Sequence, residues 1–161
     1  MKKHYILWYR LDEKDRYLIW FSSQVDGVIV RQKKVQTFEN VADLQAFAAA
    51  QGIKLVPEEP VLYNFDTVTA WLTDPNQALN CTDCMNAWNL VNDLTTTLGM
   101  KFKGNLKDNL TLLTYDKICQ NTVIPAYEFG AEGGKTNFKD KERRLLAEVM
   151  EQAMQLARKL I

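Results

Sequence analysis

The pattern with the most chemical potential in this chain is Cys81-Thr82-Asp83-Cys84. Two thiols in a CxxC at a helix N-terminus can have a lowered pKa and exchange disulfides. They can also supply half of a tetrahedral zinc site. Zinc would need two more soft ligands, and only Cys119 and His4 remain, both remote in sequence. A thioredoxin-like site requires a strand before the pair, whereas Pro75 to Leu79 reads as a loop. Positions 81, 84, 88 and 91 share one helix face, a placement in which both sulfurs simply face a core. His4, the one histidine, stands at the start of a terminal strand, a poor place for an acid–base centre. Gly130-Ala131-Glu132-Gly133-Gly134-Lys135-Thr136 approximates a phosphate loop, but its outer glycines are one residue too close together. Glu58-Glu59, between Pro57 and Pro60, is a solvated pair whose neighbours point different ways. The expectation is therefore no enzyme, no cofactor and no bound metal.

Charge is more informative. The 161 residues hold 20 Lys+Arg and 20 Asp+Glu, with 47% hydrophobic, 25% charged and 11% aromatic residues, which excludes a disordered chain. The neutral balance argues against a general nucleic-acid binder, which needs a basic excess to displace counterions. No apolar run approaches the roughly 18 residues needed to span a bilayer. Three cysteines is an odd number, which with no evident signal segment favours a reducing cytoplasm. From Leu55 to Met100, however, there is no Lys, Arg or His, while Glu58, Glu59, Asp66, Asp74, Asp83 and Asp93 all fall there. That stretch carries −6 and the remainder +6. A segment of one sign can steer a basic partner. The same carboxylates can instead cap helices, as Asp66 and Asp83 are placed to do.

Positioning these residues calls for a single α+β domain over 1–161. Lys3 to Leu11 and Arg16 to Ser22 are aromatic and β-branched around the polar turn Asp12-Glu13-Lys14-Asp15, a hairpin pattern. Asp26-Gly27 makes a second turn, its pair tolerating positive φ, and Val28 to Phe38 a third strand, giving an antiparallel three-stranded meander. Several helices follow. Asn40 can cap one, with Gly52 just past its end. Ile53 to Val56 and Val61 to Phe65 read as short extended stretches. Asp66 can cap Thr67 to Leu72. Asn80 to Leu98 forms a stronger helix whose stripe includes Cys81, Cys84, Trp88, Val91 and Thr95, and Gly99 follows it. Leu106 to Ile118 is ambiguous, and Asn121 to Lys135 is a loop by its Pro and Gly content. Asn137 can cap a long C-terminal amphipathic helix with Leu145, Leu146, Val149, Met150, Ala153, Leu156, Ala157 and Leu160 on its apolar stripe.

Three stretches carry a resemblance. They are the meander into Val35-Gln36-Thr37-Phe38-Glu39-Asn40-Val41-Ala42-Asp43-Leu44, then Glu58-Glu59-Pro60-Val61-Leu62-Tyr63-Asn64-Phe65-Asp66 with Trp71-Leu72 and Asn86-Ala87-Trp88-Asn89-Leu90, and last Tyr115-Asp116-Lys117-Ile118-Cys119 with Asn121 and Ile124-Pro125. In order along nearly the whole chain they resemble small bacterial immunity proteins of contact-dependent growth inhibition and polymorphic-toxin systems. The resemblance implies a cytoplasmic protein that binds and neutralises the C-terminal domain of a cognate toxin, many such toxins being nucleases with basic clefts. The expected protein is a monomer that acts without catalysis, and its partner is basic and a nuclease. It transfers no site residue. The charge pattern nominates Glu58, Glu59, Asp66, Asp74 and Asp83 as toxin-binding charges. Trp71, which like Tyr63 suits a core or an interface anchor, joins them, as does the exposed-loop candidate Tyr127, Glu128 and Phe129. The alternatives are a thiol oxidoreductase using Cys81 and Cys84, or an adaptor for another basic protein.

Overall fold

A computed structural model describes residues 1–74, 77–123 and 138–161. Tyr127, Glu128, Phe129, the Gly-rich loop and the cap expected at Asn137 lie outside the described residues. The fold is α+β.

The hairpin forms as the aromatic and β-branched alternation predicts. Strand β1 (Lys3–Leu11) pairs antiparallel with β2 (Lys14–Ser22) in unbroken register, Lys3 opposite Ser22 and Leu11 opposite Lys14. The connection is tighter than the four-residue turn expected. Only Asp12 and Glu13 lie between the strands, both with positive φ, 51° and 62°. Two-residue hairpins demand this left-handed geometry because it matches the strand twist, and they usually recruit Asn or Gly for it.

The third strand is interrupted. β3 (Gly27–Val28) and β6 (Thr37–Phe38) both pair antiparallel with β2. Between them β4 (Val30–Arg31) and β5 (Lys34–Val35) form a small hairpin of their own around Gln32 and Lys33. The run Arg31-Gln32-Lys33-Lys34 is too polar to lie in the sheet and turns back in solvent. Gly27 does not have the positive φ expected of an Asp-Gly turn. It is required for close approach, since a Cβ there would sit 2.7 Å from the Phe21 ring and 2.6 Å from Thr97 Oγ1.

A further strand, β7 (Leu62–Asn64), runs parallel to β1, so the sheet is mixed with β7 at its edge. The expected strand at Ile53 to Val56 reduces to a single bridge between His4 and Leu55.

Alternation along β1 and β2 supplies both faces of the sheet. Ile6, Tyr17 and Ile19 face α1 (Val41–Ala50), whose Leu44 and Ala48 are buried against them. Leu7, Tyr9, Leu11 and Leu18 face the larger core, shared with α2 (Phe65–Thr73), α3 (Cys81–Leu98), α4 (Asn109–Val123) and α5 (Asp140–Leu160). Asn40 and Asn80 cap α1 and α3 as expected, accepting from the N–H groups of Asp43 and Asp83. Gly99 ends α3 with φ +67°, the left-handed residue at which an l side chain would be strained.

Three boundaries differ from expectation. The cap of α2 is Asn64, which accepts from Asp66 and Thr67 N–H, so Asp66 sits in the first turn. Helix α4 resolves the ambiguous region: Asp108 accepts from Thr111 N–H and Oγ1, and the helix continues through Asn121 to Val123. At α5, Lys139 takes the cap position and Glu142 reaches back to its N–H at 3.1 Å. The expected stripe of α5 is buried from Leu145 to Ala157, with Leu156 and Leu160 half-buried.

Candidate functional site

Several carboxylates of the acidic stretch are already engaged within the fold. Asp66 is half-buried, and its two carboxylate oxygens accept from the backbone N–H groups of Asp12 (2.7 Å) and Glu13 (2.8 Å). Those are the two strained residues of the hairpin tip. Arg158 grips the same tip from α5 with a forked pair to Asp12, at 3.0 Å. Asp66 therefore fastens α2 to the hairpin, and a partner would have to break that clamp to use it.

Asp83 lies half-buried where α2 and α3 begin. Burial pushes its carboxyl up, opposed by hydrogen bonds from Thr67 and the Asn64 backbone. Asp74 follows the end of α2, exposed, with Gln77 Nε2 donating to it at 3.4 Å. Trp71 is corrected from a surface anchor to a core residue. At 3% exposure it packs inside the main core, because Phe65, Val68 and Trp71 make the buried stripe of α2.

Glu58 and Glu59 remain exposed. Pro57 and Pro60 hold them in the link between the Leu55 bridge and β7, where the chain can make no ladder. This link borders a groove of about 330 Å³ that Tyr5, Trp20 and Tyr63 also line. The Tyr5 and Trp20 ring centroids are 5.6 Å apart. Trp20 is held in place by its indole N–H, which donates to Asp93 Oδ2 at 2.8 Å from α3. Burial pushes the Asp93 carboxyl up despite that bond, and nearby Asp26 adds to the rise. Burial likewise raises the Tyr63 hydroxyl, with Asp93 contributing. A second groove, about 620 Å³, borders the same glutamates on the α1 side and includes Trp8 and Tyr17.

Tyr5, Trp20, Tyr63 and Asp93 were absent from the sequence-based choice of site residues. Their alternation marks them as strand and helix-face residues, and only the pairing of Tyr5 with Trp20 across the hairpin and the return of β7 beside β1 bring them together.

The thiols are arranged against reactivity. Cys84 is 1% exposed, and burial pushes its pKa far above the ordinary thiol value, with Cys81 and Asp83 adding to it. Burial also raises Cys81, with Arg143 pulling weakly the other way. A nucleophilic thiol needs the opposite shift. His4 packs edge-on against Phe21, and its carbonyl accepts from Val56 N–H at 2.8 Å. Among the described residues, no three His, Cys, Asp or Glu side chains gather to hold a metal ion, and no helix is long and apolar enough to cross a membrane.

The arrangement suits recognition of a cation: two exposed carboxylates beside a fixed aromatic wall. No family model, no curated protein and no solved structure matches this chain.

Proposed function

We propose that this chain is a non-catalytic immunity protein that binds and neutralises a cognate bacterial toxin domain with a basic cleft, a nuclease. The observation that carries the reading is the pairing of exposed Glu58 and Glu59 with the Tyr5–Trp20–Tyr63 wall. Carboxylates there can stand where a nucleic acid would place its phosphates, and the aromatic wall adds contact area at low entropic cost. The contact surface is accordingly centred on the Pro57–Pro60 link and not on Asp66 or Trp71. Cytoplasmic location and a one-to-one complex belong to the same proposal. The Cys81–Cys84 alternative draws no support from two thiols that burial pushes up.

Co-expression with the domain encoded by the adjacent upstream gene tests the reading. Growth should be restored by the wild type and restored less by Glu58→Lys/Glu59→Lys. Failure of the wild type to restore growth against that domain would sink it.

A further inference from the structure

The edge of the sheet beside Glu58 and Glu59 contains a gap. The returning chain bridges to His4 at Leu55 and pairs with Trp8 at Leu62. That is four residue steps along β1 against seven along the returning chain. The surplus is the Pro57–Pro60 link, which bows away from the strand. Main-chain groups in an antiparallel pair alternate between the partner strand and the outer edge. His4 presents its carbonyl to the outer edge, where Val56 N–H donates to it. Across the hairpin, Ile19 turns its carbonyl away from β1 to accept from Ile29 N–H. Ile6, opposite Ile19, therefore points both its N–H and its C=O outward. Among the described residues neither outward group meets a partner, because β7 reaches only Trp8 to Arg10. Ile6 borders the aromatic groove together with both glutamates.

We infer that this gap is a socket for a single arginine side chain of the partner, an inference that deepens the proposed function and rests on it for the partner's identity. The Ile6 carbonyl and the carboxylates of Glu58 and Glu59 are acceptors for a guanidinium, a planar fork of donors, while the open Ile6 N–H is left to water. Tyr5, Trp20 and Tyr63 line the same groove, and an aromatic ring is a stacking partner for a guanidinium plane. An ammonium matches the charge but not the fork or the stacking. An added strand does not fit, since the gap frees the outward groups of one residue only and Pro57 and Pro60 close it at both ends.

Binding of N-acetyl-arginine-N′-methylamide to the full chain, followed by the NMR signals of the Ile6 amide and the Trp20 indole N–H, tests the socket. Both signals should move saturably. The lysine counterpart should bind about threefold more weakly or worse. In Glu58→Gln/Glu59→Gln the affinity should fall by roughly fivefold, while Glu39→Gln, in an exposed residue elsewhere, should leave it unchanged. Unmoved Ile6 and Trp20 signals, equal affinity for both probes, or undiminished binding by the double variant would each overturn the socket. Growth rescue by the wild type does not depend on this titration, so the socket and the immunity reading fail separately.

Discussion

Asp66 and the Glu58–Glu59 pair lie within eight residues of each other and enter any charge count equally, yet they do different work. Asp66 spends both oxygens on the hairpin tip and lies close to two arginines: Arg10, paired with Asp15, and Arg158, paired with Asp12. Glu58 and Glu59 are held by flanking prolines in the open. A carboxylate that accepts main-chain N–H groups and lies near cations is part of the scaffold. Its charge adds little to a field felt by a partner. The −6 of the middle segment is therefore an upper bound on what an incoming cation meets.

The sharpest break in this comparison comes from a third carboxylate, more completely enclosed than either. Glu142 is 1% exposed; Lys117 Nζ donates to its Oε1 at 2.7 Å and forms an ion pair with Oε2 at 2.6 Å. Burial pushes it up, but Lys117 and the Lys139 N–H outweigh burial and hold it below the ordinary range. Lys117→Met strands that charge and should cost about 3–5 kcal/mol in urea unfolding at neutral pH. Sign matters here. A depressed folded pKa gives stability that is present above the ordinary carboxylate range and lost as pH falls through the folded value. The wild type should lose this contribution in acid. The variant, whose carboxylate prefers to be protonated, should close part of its deficit there. A deficit independent of pH would refute the account.

Asp66→Ala comes next. It removes two charge-assisted bonds from a turn whose residues have positive φ, and should cost about 2 kcal/mol. By contrast, Glu58→Lys/Glu59→Lys should shift unfolding by less than about 0.5 kcal/mol but slow association with the toxin domain by about tenfold at low salt, the difference shrinking as salt is added. If Asp66→Ala leaves stability intact, or the double reversal unfolds the protein, the division into scaffold and contact charges is wrong.

The smallest effect concerns Asp93. Its folded pKa is raised, so stability is greatest below the ordinary carboxylate range and falls as pH climbs to the raised value. Asp93→Asn keeps an acceptor for Trp20 and should flatten that part of the stability–pH profile. An unchanged slope would show that another group causes it.

Local chemistry was legible in the sequence wherever it was decided locally. Asn40 and Asn80 cap their helices because an Asx side chain reaches N–H groups two or three residues on, whatever the rest of the chain does. The same logic places the α2 cap at Asp66, but Asn64 takes it, and the Asp66 carboxylate is committed to a hairpin 53 and 54 residues away. Helix α4 was obscured because Thr111 and Thr114 share its buried face with Ile118, which blurs the apolar period. Trp71 illustrates a third limit, since a large amphipathic side chain suits a core and an interface equally. The glutamate pair was visible in the sequence. The aromatic wall and the open Ile6 edge were not, because both depend on how a parallel strand returns beside β1.

Strand β1 also sets a problem of timing. Its hairpin with β2 is local, but two ties of that hairpin are distant: the Tyr9 hydroxyl donates to the Ile161 carbonyl, and Asp12, at the tip, pairs with Arg158. These span 152 and 146 residues. Closing such loops costs entropy before any contact repays it, and chains dominated by distant contacts fold slowly. The tie from the hairpin to α5 is therefore expected to form late, after α2 and α3 have begun to cover the same face of the hairpin.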